Sequence, residues 1–209
     1  MTASKDSVPR QRDRAGTAAA LVENAKALLA EQGFQALGIN AIARRAGCDK
    51  QLIYRYFGGL EGLLDALGED IAADVTRRLA PLDALGKPQS YAELMERLAL
   101  GLLQALRDDR LMQRVMAWEI AEPSPLLTRL TLARSKALGM WMMQTRGNLT
   151  PPPEVDAPAC NAILVAAVQH IVLAGAAAGQ FSGLALRADD DWERLRKALK
   201  RTIRALYGA

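Results

Sequence analysis

Residues Phe34 to Leu64 read FQALGINAIARRAGCDKQLIYRYFGGLEGLL, and this stretch decides the fold. Ile39 to Ala46 has helical spacing, with Ile42 and Ala43 on one side and Arg44 and Arg45 on the other, and Gly47 supplies a stop. Asp49 is placed to cap a second short helix running to about Tyr56. In that helix Ile53 and Phe57 fall on an inner side, while Lys50, Gln51, Tyr54 and Arg55 face outward. Two short helices separated by Gly-Cys-Asp form a helix-turn-helix. The outer helix gathers ammonium, amide, phenol and guanidinium donors, which are the groups that phosphate oxygens and base edges in a major groove require. A solvated helix face is the bland reading of these charges. Their register with the apolar positions favours nucleic acid.

Working outward, Leu21, Ala25, Leu28 and Leu29 recur at helical spacing ahead of this segment, with Thr17 as a candidate N-cap and Gly33 as the stop. Residues 1–15 are polar and charged, contain Pro9, and read as a flexible basic arm carrying Arg10, Arg12 and Arg14. After Gly58-Gly59 a longer helix is expected from about Glu61 to Leu79, ending at Pro81 and linking two domains. Further helices are expected at Tyr91–Arg107, Arg110–Ile120 and Leu126–Arg146, at 159–180 after a Pro-rich loop, and from Asp189 to Tyr207. Asp189, Asp190 and Asp191 suit the start of the last, where the helix dipole favours negative charge. No segment sustains period-two alternation, so no sheet is expected. The domain reading is an arm at 1–15, a helix-turn-helix domain at 16–60 and a helical bundle at 61–209.

Charge placement agrees with a polyanion partner on one side. Residues 1–57 carry nine Lys/Arg against five Asp/Glu, whereas residues 58–209 carry eighteen of each, so the whole +4 excess lies in the N-terminal quarter. Cys48 and Cys160 are too few and too distant for a disulfide framework, and with a single His170 no zinc cluster can be assembled. The N-terminal segment has no apolar run, and the expected compartment is the cytosol. The stretch Ala162 to Gly179 is nearly long enough to span a bilayer, but Gln169 and His170 fall at its centre, so a buried helix is expected and no membrane partner. One His, two distant Cys, no Gly-rich phosphate loop and no nucleophile elbow leave an enzyme without parts, and neither a cofactor nor a metal is expected.

The segment resembles the DNA-binding signature of the TetR family of transcriptional regulators. Gly33-Phe34, Ile42-Ala43, Ala46-Gly47, Ile53-Tyr54, Phe57, Glu61 and Leu63-Leu64 all fall in that family's register. The resemblance implies an all-α protein: a three-helix helix-turn-helix domain joined by a linker helix to a C-terminal ligand-binding and dimerisation bundle. It implies a homodimer bound to double-stranded DNA at an inverted-repeat operator, acting as a repressor that a small molecule releases. It also implies site roles: Tyr54 donating to a phosphate, Lys50 and Gln51 at the groove end of the recognition helix, and Arg55 on backbone or base. Arg44 and Arg45 would contact flanking phosphates, and the arm arginines a minor groove. The chain departs from the pattern at Leu37-Gly38, where Thr-Ser is usual, at Leu60, where Lys is usual, and at Leu52, where a small or hydroxyl residue is usual. Leu52 is then a candidate for packing on a thymine methyl. Cys48 stands where Val is usual and reads as a small buried apolar side chain.

In the second domain Met112, Met116, Trp118, Met140, Trp141, Met143 and Phe181 are candidates to line a pocket for an apolar or aromatic effector, and equally read as plain core. Gln169 and His170 would orient such an effector, meet a dimer partner, or bond a neighbouring helix. By the resemblance, the helices at 159–180 and 189–207 would pair with their symmetry mates. The rival reading of the whole chain is a helical protein-interaction module without sequence-specific DNA binding.

Overall fold

A computed structural model describes residues 8–122 and 124–208, with side chains from residue 14 onward. The architecture is all-helical: α1 (Val8–Gln32), α2 (Ile39–Ala46), α3 (Gln51–Phe57), α4 (Leu60–Leu79), α5 (Tyr91–Arg107), α6 (Arg110–Ala121), α7 (Pro125–Arg146), α8 (Ala157–Ala178) and α9 (Asp189–Tyr207). Short 3-10 turns at Phe34–Ala36 and Ala80–Leu85 join some of these. The chain divides into two compact units. One runs to Ala72 and takes in Pro123–Arg134, and the other holds Ala73–Glu122 and Ser135 onward. The first unit takes in α4 as far as Ala72, with Leu63, Leu64, Leu67 and Ile71 buried.

In the first unit, Leu21, Ala25, Leu28 and Leu29 of α1 are buried with Ile42 and Ala43 of α2, Ile53 of α3, and Leu63, Leu64, Leu67 and Ile71 of α4. Each set repeats at three to four residues, so each helix places a single stripe in the core. Helix α1 starts at Val8, not at Thr17. Residues 8–15, read as part of an arm, are therefore helical backbone. Pro9 falls in the first turn, where its missing N–H would have had no intrahelical partner. Residues 1–7 and the side chains of Arg10 and Arg12 lie outside the described residues. Left-handed Gly47 (φ 64°) and Gly58 (φ 74°) end α2 and α3, and the Asp49 carboxylate accepts from the Gln51 N–H at 2.8 Å, capping α3 as its sequence indicates. Arg129, in the segment of α7 belonging to this unit, donates to both Asp65 carboxylate oxygens at 2.7 and 2.9 Å and to Glu61 at 3.0 Å. Lys26 pairs with Asp70 at 2.6 Å.

The second unit is built around α5, whose Leu94, Met95, Leu98, Leu102 and Leu103 are buried and which packs against α8 and α9. Ser90, Asp109 and Asp156 cap α5, α6 and α8 by accepting from Glu93, Met112 and Ala159 N–H groups. Glu96 on α5 takes Lys200 and Arg204 of α9 at 3.3 and 2.9 Å. At Gly175 a Cβ would lie 2.9 Å from the Trp192 ring, so α8 approaches α9 as closely as glycine permits. The Arg107 guanidinium covers the other part of that indole, 4.3 Å from its centroid.

A small sheet contradicts the expectation of none. Strands β1 (Gln180–Phe181) and β2 (Leu184–Ala185) pair antiparallel across Ser182 and Gly183, both at positive φ (47° and 80°). That is a two-residue turn of the primed kind, and strands of two residues are too short to show alternation in sequence.

Helix α9 opens on its three aspartates. The Asp191 carboxylate accepts from the backbone N–H groups of Ala188 and Arg187, each at 3.0 Å, and these bonds, with Arg194 nearby, hold its carboxyl below the usual range. Because the folded pKa is depressed, the resulting stability is present above the unfolded value of about 3.9 and is lost as pH falls through the folded one. Asp191→Ala should therefore lower the thermal midpoint at neutral pH, with the gap to wild type closing in acid. A gap independent of pH would show that the carboxylate charge is not what caps the helix.

Candidate nucleic-acid interface and clefts of the second unit

Helices α2 and α3 bring the charged and hydroxyl candidates of the first unit onto one surface. Lys50, Gln51, Tyr54 and Arg55 are all exposed, Tyr54 by 49%, while Ile53 between them is fully buried. The apolar anchor fixes which side of α3 faces out, since a helical residue inward at 53 leaves 50, 51, 54 and 55 on the other arc. Leu52 is half-buried at the edge of this surface. The Arg55 guanidinium lies 5.8 Å from the Tyr56 ring centroid and that of Arg14 lies 5.7 Å from it, so two cations share one aromatic ring.

A concave cleft of about 590 Å³ runs along this surface. Its lining comprises Gly38, Ile39, Asn40 and Ala41 at the start of α2, together with Arg44, Lys50, Tyr54 and Leu60. Two cations, a phenol and the N–H end of a helix thus converge on one hollow, the arrangement that holds a phosphate. Sequence reading had placed Arg44, Lys50 and Tyr54 here. It missed Asn40 and the α2 N-terminus, for which the signal was a polar side chain in the first turn of a helix lacking a hydroxyl cap. Leu60, where a lysine is usual, forms an apolar wall of the hollow.

Arg45 behaves differently from Arg44. Its guanidinium makes two parallel 2.7 Å bonds to the Glu31 carboxylate of α1. This fork keeps the Glu31 carboxyl below its ordinary range and raises Arg45. Arg45 is thus engaged by a carboxylate at the surface, a pairing across fourteen residues that helix periodicity alone does not reveal. Cys48 is half-buried, less enclosed than a core position, because it sits in the turn itself.

The nine effector candidates of the second unit are dispersed. Met112 and Met116 are buried core, and Trp118 is half-buried with Arg114 against its ring. Met140 is exposed. Gln169 is half-buried and His170 exposed, with the His170 ring meeting Phe181 edge-on at 4.8 Å. Trp141 is buried, its indole N–H has no partner among the described residues, and it lines a cleft of about 780 Å³ between the 83–88 and 144–149 segments. The first of these segments is stiffly held: Arg97 donates to the carbonyls of Leu85 and Gly86, and Glu93 accepts from the Gln89 N–H at 2.7 Å and from Arg97. Those bonds, the Gln89 N–H foremost, keep the Glu93 carboxyl below its usual range. A smaller cleft of about 360 Å³ adjoins at Arg146 and Gly147 and is lined also by Tyr91, Gly139, Met142, Met143 and Asn161. Among the described residues, no group of three or more His, Cys, Asp and Glu is placed to hold a metal ion.

Helix α8 departs from the expectation of a buried helix. It is long and apolar enough to cross a membrane by length and composition, with a mean hydropathy of 1.8 over its most apolar window, yet 17% of that window is buried. Ala157, Leu164, Val168 and Val172 face the unit's core. Ala159, Ala162, Ile163, Ala166 and His170 make an opposite, exposed stripe. A helix apolar all round has no moment to say which face its own chain covers.

Comparison with known proteins agrees with this geometry. Residues 21–67 match the family described as bacterial regulatory proteins, tetR family, a span that begins in α1, contains α2 and α3 and ends in α4. A TetR family transcription regulator from Marinobacter aquaeolei VT8 superimposes with a TM-score of 0.58 at 21% identity, covering 92% of this chain and 97% of that one. The transcriptional regulator FadR of Bacillus subtilis, solved in complex with stearoyl-CoA, gives 0.61 at 18% identity, covering 88% and 96%. The fatty acid degradation regulator FadR of Bacillus halodurans gives 0.59 at 16%, covering 90% and 94%. No curated protein sequence matches the chain. At these identities the solved structures establish the fold, and the sequence match establishes the DNA-binding segment. Residues 21–67 thus match the DNA-binding segment of the tetR family of bacterial regulatory proteins, and the chain carries that segment on an all-helical fold shared with solved regulators of that family.

Proposed function

We propose that the protein is a transcriptional repressor that binds an inverted-repeat operator as a homodimer and leaves it when a small molecule occupies the second unit. The observation that carries the DNA reading is the hollow where Arg44, Lys50, Tyr54 and the start of α2 converge, beside the outward Gln51 and Arg55. The cations and phenol seat a backbone phosphate, while Gln51 and Arg55 present bidentate donors suited to base edges, and Leu52 an apolar contact for a thymine methyl. Such a regulator works in the compartment that holds the DNA, which is the cytosol of a bacterial cell.

Support for a homodimer comes from α8. Its exposed stripe of Ala159, Ala162, Ile163 (67% exposed) and Ala166, ending at the His170–Phe181 pair, is too apolar to rest in water, and its small side chains let a second copy of the helix approach closely. Two recognition helices related by a twofold axis would then read successive major grooves. An effector lowers operator affinity to the extent that it binds better to the state whose recognition helices are spaced wrongly for DNA.

The direct test is titration of the purified protein onto the DNA upstream of its own gene, over a salt series and with excess nonspecific competitor. Two protomers per site, resistance to competitor and a steep loss with salt are expected. A complex that competitor removes would instead favour a helical interaction module. The Glu31 fork supplies a second test. Glu31→Gln releases Arg45, so affinity for nonspecific duplex at low salt should rise severalfold, with a salt slope steeper by about one per protomer. An unchanged slope would mean that the freed guanidinium does not reach a phosphate.

A further inference from the structure

A relay of hydrogen bonds in the second unit ends on a hydroxyl whose own proton has no acceptor among the described residues. The Tyr207 hydroxyl donates to Asn161 Oδ1 at 2.7 Å, and Asn161 Nδ2 donates to the Tyr91 hydroxyl oxygen at 2.8 Å. Burial pushes the Tyr207 hydroxyl up to about 12, so it keeps its proton and its role as donor. With the amide oriented this way, Tyr91 accepts, and its own O–H proton is uncommitted, as is the second amide hydrogen of Asn161. Tyr91 is only 6% exposed, its ring fixed edge-on to Tyr207 at 5.2 Å.

Both uncommitted donors belong to residues that line the cleft of about 360 Å³, and so does Arg146. Arg146 spends its Nε–H on the Leu149 carbonyl at 2.8 Å, which orients the guanidinium and leaves its terminal nitrogens without a protein partner among the described residues. The polar side chains of this cleft are therefore a hydroxyl, an amide and a guanidinium, and no carboxylate lines it. Met142 and Met143 supply polarizable apolar walls that adapt to shape. A hollow of this size accommodates a small organic molecule.

We propose that this cleft seats the effector and that the effector is a small organic carboxylate. Its anionic oxygens are held by Arg146 and by the Tyr91 hydroxyl, and its apolar body lies against Met142 and Met143. The proposal rests on reading the second unit as the effector-binding part, and it names a chemistry that neither the family match nor the fold assigns.

The test is calorimetric titration of the full-length protein with octanoate and phenylacetate, against 1-octanol and octylamine as neutral and cationic counterparts. The carboxylates should bind at least about tenfold more tightly than either counterpart, since hydrogen bonds to a charged group exceed neutral ones. Arg146→Gln and Tyr91→Phe should each weaken octanoate about tenfold or more. Tyr91→Phe keeps the ring that meets Tyr207, and Arg146 is exposed, so circular dichroism should show native helix and a near-native midpoint for both; if one variant fails to fold, the other decides. The assignment is overturned if neither carboxylate binds at millimolar concentration, if octylamine binds equally, or if the folded variants bind octanoate as wild type does. Operator titration of the same variants without ligand should match wild type. Wild-type protein that binds its operator but neither carboxylate rejects the cleft alone. Octanoate binding by a protein that ignores DNA keeps the cleft as a carboxylate site and rejects the regulator reading.

Discussion

Replacing Lys50 by Ala together with Tyr54 by Phe should lower operator affinity by about a hundredfold or more at roughly 0.15 M salt, without altering the fold. Both side chains are exposed and line the same hollow at the start of α2, so their loss removes no core contact. Lys50 contributes a charge and Tyr54 a neutral O–H donor, and the two are separable by salt. Lys50→Ala alone should make the log affinity against log salt line shallower by about two for a dimer, one phosphate per protomer. Tyr54→Phe should weaken binding at every salt concentration with the slope unchanged. Gln51→Ala should alter which base pairs are preferred more than the total affinity, because an amide reads base edges without releasing counterions. Wild-type affinity in the folded double variant would show that the hollow does not hold a phosphate, and the operator contact would have to lie elsewhere on the first unit.

Gly62→Ala should destabilise the first unit by about 1–3 kcal/mol, a drop of several degrees or more in its thermal midpoint. A Cβ at this position would stand 2.0 Å from the Phe57 carbonyl oxygen and 3.0 Å from its carbon. The obstacle is backbone, so no rotamer change relieves it. Either α4 must draw back or the last turn of α3 must shift, and α3 carries Gln51, Tyr54 and Arg55. Operator affinity should therefore fall along with stability. The ordinary effect of Gly→Ala inside a helix is stabilisation by up to about 1 kcal/mol, which makes the expected sign diagnostic. Gly16→Ala in α1, where a Cβ meets nothing within 4 Å, provides the comparison and should be neutral or stabilising. A Gly62→Ala protein as stable as wild type would mean that the α3–α4 junction relaxes freely.

These two sites differ in how they can be read. The helix-turn-helix was legible because its rules are local: Gly47 and Gly58 stop helices, Asp49 caps one, and Ile42, Ala43 and Ile53 sit at spacings that leave the basic side chains outward. The helices of the second unit were legible for the same reason, through Pro-, Gly- and Asp-containing breaks that fall between the observed elements. The cleft lined by Tyr91, Asn161 and Arg146 was not. Of the Met and Trp residues expected to line a pocket, Met143 lines this cleft and Trp141 the adjoining one, but Met112 and Met116 went to the core and Met140 to the surface. Tyr91, Asn161 and Arg146 come from the start of α5, the start of α8 and the end of α7. Asn161 left one trace, a lone polar residue near the start of an otherwise apolar helix.

The sequence by itself determined the helices, most of their ends and the outward side chains around α3, because hydrogen bonding within a helix, capping and periodic burial depend on residues a few positions apart. Tertiary structure decided the rest. It placed Glu31 on Arg45, Phe57 against Gly62, and the relay from Tyr207 through Asn161 to Tyr91 at the edge of a cleft. Those pairings join side chains on different elements, and which elements meet is set by the packing of whole apolar faces, a property that no short window of sequence contains.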